Sequence, residues 1–179
     1  MQKASYTLLL LFFSVACFAQ TPYFQQGVDY TIHVKLDDQK HFLYADEELV
    51  YTNNSPESLD QIVFHLWPNA YKHRNTAFGK QKLEDGSSSF YYAKPQHRGY
   101  IDSLDFKVDG QSVKWSDWEN NPDVVVLQLN KPIPPKGKVT ITTPFRVKIP
   151  LSYSRLGHIR QQYQLCQWFP KPAVFDHKG

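Results

Sequence analysis

Apolar and polar positions alternate along most of the chain. Tyr30, Ile32, Val34 and Leu36 fall on one side of an extended segment, with Thr31, His33 and Lys35 between them. The same period returns in Phe42 to Thr52, through Leu49 and Tyr51, and again in Ile62, Phe64 and Leu66. Ile101 to Val108, Val124 to Leu129 and Val139 to Val147 continue it. Such alternation sends one face of a strand to a core and the other to water. Turn residues separate the runs. Asn53-Asn54-Ser55-Pro56 and Asp109-Gly110 close tight bends, since Asn, Asp and Gly tolerate positive φ and Pro fixes it negative. Lys131 to Gly137, with Pro132, Pro134 and Pro135, reads as a rigid connector into the strand at Val139. Pro68 to Lys82 is the one stretch with helical character, with its proline in the first turn. The pattern predicts an all-β sandwich with at most a short helix near 68–82.

Composition narrows the function classes. The chain has 179 residues, 41% hydrophobic and 15% aromatic, so it can bury a core and is not a disordered segment. A formal net charge of +3 is too small for a nucleic-acid footprint, and no nucleic-acid partner is expected. Residues 72–98 do interleave Lys72, Arg74, Lys80, Lys82, Lys94 and Arg98 with Phe78, Phe90, Tyr91 and Tyr92. That stretch reads as a packed or partner-facing loop.

The first segment changes the compartment. Met1 to Ala19 carries Lys3 in a polar start, an apolar run from Leu8 to Ala16, and small residues before Gln20, the order of a secretory signal peptide. Residues 1–19 are therefore expected to be removed on export, leaving 20–179 as one all-β domain that is periplasmic, outer-surface or secreted. Ser14-Val15-Ala16-Cys17 loosely resembles a lipobox, which leaves a lipid anchor at Cys17 as the less favoured alternative. The processed chain then keeps only Cys166, so no internal disulfide is expected. Cys166 lies in Tyr163-Gln164-Leu165-Cys166-Gln167-Trp168, which reads as a strand; a small buried hydrophobe is the favoured reading and a reactive thiol the other.

Catalytic spacing is missing. The seven histidines, His33, His41, His65, His73, His97, His158 and His177, form no HxH, HxxxH or HExxH pattern. His65 is expected to bond a neighbouring backbone group, and His177 to lie in an exposed turn. No GxSxG elbow or Gly-rich phosphate loop occurs. The acidic doublets Glu47-Glu48 and Asp37-Asp38 read as solubilising, because strand neighbours point to opposite faces. Four tryptophans, Trp67, Trp115, Trp118 and Trp168, keep a sugar- or surface-binding sandwich as the alternative function, with Trp115 and Trp118 flanking a turn-like Ser116-Asp117 as its platform.

Several stretches in order resemble one family. Val50-Tyr51-Thr52-Asn53-Asn54-Ser55-Pro56 with Leu59 is similar to the early strand and turn of the N-terminal domain of aminopeptidase N-like zinc metallopeptidases. Phe64-His65-Leu66-Trp67-Pro68-Asn69-Ala70-Tyr71, Asn75-Thr76-Ala77-Phe78, Arg98-Gly99-Tyr100-Ile101, Ser154-Arg155-Leu156-Gly157 and Gln167 to Asp176 resemble its Bacteroidetes-type branch. The resemblance spans residues 28–179. It implies a saddle-shaped, non-catalytic β-domain that packs on a thermolysin-like catalytic domain of the same parent chain and meets its peptide substrate. It also implies zinc there, held by HExxH and a third glutamate. None of those motifs occurs in these 179 residues, so no catalytic residue, metal ligand or cofactor is expected here, and the domain is expected to be incomplete at its C-terminal end. One position carries over: the family's Gln or Glu that binds the substrate's free amino group, for which Gln167 is the candidate and Gln164 the alternative. The family's Ala-Arg before Phe-Pro is absent here, which leaves the register of that match open by two or three positions.

Overall fold

A computed structural model describes residues 23–176. The expected signal segment at 1–19, Cys17 and His177 lie outside them. The described chain is an antiparallel β-sandwich. Its first sheet runs in the order β1 (Gly27–Asp37), β2 (Phe42–Thr52), β9 (Lys138–Lys148), β5 (Lys107–Val108) and β6 (Gln111–Ser112), and β4 (Tyr100–Asp102) also pairs with β9. The second sheet is β12 (Lys171–Pro172), β3 (Leu59–His65), β8 (Asn121–Ile133) and β7 (Lys114–Trp118). A separate hairpin, β10 (Leu156–Ile159) and β11 (Gln162–Leu165), completes the strands.

Alternation sets the layers. In β2, Leu43, Ala45, Leu49 and Tyr51 are buried, and each lies directly across from Val147, Phe145, Ile141 or Val139 of β9. Ile62 and Phe64 of β3 and Val125 and Leu127 of β8 face them from the other sheet, with Phe106 between. Phe106 and Phe64 meet at 5.3 Å, a tilted ring pair. Asp109 and Gly110 hold φ of 49° and 78° and join β5 to β6 as a two-residue turn, as their residue types predict.

The short helix expected near 68–82 is present, and three other expectations are corrected. The helical stretch is split: a 3-10 turn at Trp67–Tyr71 holds Pro68 in its first turn, and helix α1 spans only Ala77–Glu84. The cause is Thr76, which is buried at the α1 N-cap. Its hydroxyl donates to the Ala70 carbonyl at 2.6 Å and accepts from Gly79 N–H at 3.1 Å, so the backbone cannot run helically through it. The run at Ile101 to Val108 is broken by Ser103, whose φ is 62°, into β4 and β5. Cys166 is exposed, because β11 ends at Leu165 and Gln167 turns into the left-handed region at φ 55°. Finally, the Glu47-Glu48 doublet is not uniformly solubilising: Glu48 is exposed, whereas Glu47 points into the core and is 3% exposed. The alternation of Leu43, Ala45, Leu49 and Tyr51 puts position 47 on the apolar side.

Candidate functional site

A second, smaller core lies beside the sandwich. Ala70, Tyr71, Phe90, Ala93 and Leu156 form it, with Phe78, Tyr153 and Trp168 against them. This is where the irregular region 72–98 packs. Phe78 and Phe90 meet edge-on at 5.1 Å and both touch Tyr71, while Tyr92 stays 76% exposed. Burial pushes the Tyr71 phenol up, although Ser154 and Leu156 hydrogen-bond it.

Between this core and the end of β11 opens a cleft of about 440 Å³. Trp67, Tyr71 and Phe78 give it an aromatic wall; Asp85, Asp123 and Gln167 contribute oxygen acceptors, and Lys82 and Arg155 cations. Gln167 is exposed, and no side-chain hydrogen bond holds it among the described residues, so its amide is available to a ligand. Its left-handed backbone is uncommon for a residue with a side chain and is a conformation that the surrounding chain must impose. The chain does so by docking Trp168 and Phe169 immediately after it: Trp168 packs on Phe145, and Phe169 lies edge-on to Tyr30 at 5.4 Å. His65 backs the wall, stacked flat on Trp67 at 4.7 Å rather than bonded to backbone. Burial holds its pKa below the usual histidine range, against the pull of Asp123.

Gln164 does not share this cleft. On β11 it lies opposite Gly157, and it lines a separate concavity of about 270 Å³ with Ser152, His158, Gln162 and Tyr163. The hairpin also carries a cluster that the sequence did not suggest. His41, at φ 58°, stacks on His158 with ring centres 3.7 Å apart. The Tyr163 hydroxyl hydrogen-bonds His41 Nδ1 at 2.7 Å and lies 3.2 Å from the Asp38 carbonyl. His158 Nδ1 donates to the Arg160 carbonyl at 3.1 Å. His158 thus carries a proton on Nδ1, and the two rings dock the hairpin against the β1–β2 turn.

Burial lowers the His158 pKa; the Arg160 carbonyl opposes this, and His41 and His97 add to it. A histidine with a lowered folded pKa takes up more protons when released, so the hairpin is firmest above about pH 6.5 and loosens as pH falls below it. Amide protection factors across Leu156–Leu165 are expected to drop several-fold between about pH 8 and about pH 5.5. His158→Phe, which keeps the stack and removes the titration, should flatten that drop. An equal drop in the variant would assign it elsewhere.

Trp115 and Trp118 are each 39% exposed. Trp115 is opposite buried Leu127 and lies edge-on to Phe106 at 5.7 Å, so its ring serves the core margin more than a platform. Among the described residues no group of three or more His, Cys, Asp or Glu side chains gathers to hold a metal. None of the described helices is long and apolar enough to cross a membrane. The fold and cleft define an antiparallel β-sandwich with a lateral, acceptor-bearing cleft. No protein-family model matches the chain, and no curated protein matches it.

Proposed function

We propose that this chain is the non-catalytic β-domain of an exported zinc aminopeptidase, forming one wall of the substrate cleft and binding the substrate's free amino group through Gln167. The observation that carries this reading is the position of Gln167, held in a left-handed turn with its amide at a cleft that also presents Asp85 and Asp123. An ammonium needs oxygen acceptors, and carboxylates nearby strengthen the attraction where water is partly excluded. The ordered run of family-like stretches from residue 28 onward supports it as well. Zinc belongs, on this reading, to a neighbouring domain of the parent. No chemical step is assigned to the described residues. The glycan-binding alternative has less support, because Trp115 is turned onto Phe106.

The coding sequence beyond Gly179 is expected to continue into HExxH and a downstream glutamate. A stop codon with no catalytic domain nearby would overturn the reading. In the intact parent, Gln167→Ala should raise KM for a free-amino peptide about tenfold or more, the worth of a hydrogen bond to a charged group. Gln164→Ala should leave KM unchanged, and the reverse result would move the role to Gln164.

A further inference from the structure

The sheet edges differ in how they end. β6 has two residues, β7 five and β12 two, one of them Pro172. Short or proline-bearing edges resist pairing with other chains. β1 is different: it is eleven residues long, pairs with β2 on one side, and has no strand on the other among the described residues. Its core-side residues follow from the register. Val28, Tyr30, Ile32, Val34 and Leu36 lie across from Tyr51, Leu49, Glu47, Ala45 and Leu43, all inward-facing. Yet Val34 is 50% and Leu36 40% exposed. The apolar face of β1 therefore runs out beyond what the second sheet covers.

From this edge we infer that the chain forms a two-fold dimer by antiparallel pairing of β1 with β1 of a second copy. A two-fold axis normal to the sheet keeps both apolar faces on the same side, so only residues that share a face can stand opposite one another. In the register centred on Ile32, every residue from Gly27 to Asp37 finds a partner. That register places Asp29 opposite Lys35 twice on the outer face, where both are exposed, and Thr31 opposite His33. On the inner face it sets Val28 against Leu36 and Tyr30 against Val34, which covers the two exposed apolar side chains. The strand is thus self-complementary in length, charge and hydrophobicity, and the dimer would contain one continuous sheet. Cross-strand pairs of opposite charge and of apolar side chains are the units that stabilise such a seam.

Sedimentation velocity of the purified chain at micromolar concentration tests it. A dimer is expected. Asp29→Lys or Lys35→Asp alone sets like charges opposite each other twice per dimer and should weaken association about tenfold or more. The double exchange Asp29→Lys/Lys35→Asp should restore it. Both positions are exposed, so loss of fold is not the expected cause of dissociation. Ile32→Pro, which removes the central donor, should leave a monomer. A monomer from the unsubstituted chain overturns the proposal, as does a dimer indifferent to either single exchange or not recovered by the double. Amides of β1 protected from exchange in a monomer would assign the edge to another segment of the same chain, and overturn it too.

Discussion

Glu47→Gln is expected to stabilise the chain by about 3 kcal/mol at pH 7, with almost no gain at about pH 4. Both carboxylate oxygens of Glu47 are buried without a hydrogen-bond partner. The group opposite it on β9 is Thr143, whose hydroxyl is already committed: it donates to the Pro144 carbonyl at 2.9 Å and accepts from Asp105 N–H at 3.0 Å. Opposite it on β1 is Ile32. Burial therefore pushes the Glu47 pKa up to about 8, and no cation offsets it. The Tyr30 phenol is raised by its own burial and then by Glu47.

The folded chain keeps the Glu47 proton over a range in which the unfolded chain releases it. Stability should thus be highest below about pH 4.5, fall as pH rises, and level off above about pH 8. At pH 7 the gap of about 2.5 units from the ordinary value corresponds to about 3 kcal/mol, set by burial at 3% exposure where solvent screens little. Urea midpoints of the two proteins between about pH 4 and about pH 8 check it. Parallel curves would mean that Glu47 finds a partner or water. This fall with rising pH runs opposite to the His158 effect, which is confined to the hairpin, so local exchange and global unfolding separate the two.

The strands were legible because a period of two is a local property, and it holds for β2, β3 and β9 almost residue by residue. Glu47 is legible by the same rule, since it occupies the apolar parity of its strand and only Glu48 falls on the polar one. The short α1 was not, because what stops the preceding turn is the Thr76 hydroxyl bonding the Ala70 carbonyl, a contact that composition does not reveal. The exposure of Cys166 depends on a left-handed Gln, where no glycine or asparagine marks the break. The His41, His158 and Tyr163 cluster joins residues up to 122 apart, and only the completed sandwich brings them together. Half of the candidate cleft was visible, through Gln167. Its partners Asp85 and Asp123 come from α1's end and the start of β8, two elements that both pack on the 3-10 turn at Trp67–Tyr71.

Asn53→Ala is expected to cost about 3 kcal/mol or more, among the largest single losses outside the apolar core. Asn53 is fully buried at the end of the β2 turn, and all four of its polar groups are used. Its Nδ2 donates to the carbonyls of Glu57 at 2.7 Å and Ile133 at 2.9 Å, and its Oδ1 accepts from Ser55 N–H at 3.0 Å and from the Ser55 hydroxyl at 2.6 Å. Its backbone pairs with Gly137 and Lys136 in the connector that returns from β8 to β9. One carboxamide thus ties the β2–β3 turn to the end of β8. Truncation removes the side-chain donor from the Ile133 carbonyl and the acceptor from Ser55 N–H in a dry site, where each unsatisfied group costs about 1–3 kcal/mol. Asn53→Asp should be worse still at neutral pH, since a carboxylate accepts but cannot donate to the two carbonyls it faces. Part of that loss should return in acid, when the carboxyl regains a proton to donate. Asn54→Ala, next in sequence, supplies the contrast: its Nδ2 donates to Gln25 at an exposed site, and its loss should cost under about 1 kcal/mol. Urea unfolding of the three variants gives the order, and equal losses at positions 53 and 54 would show that the turn does not depend on the buried amide.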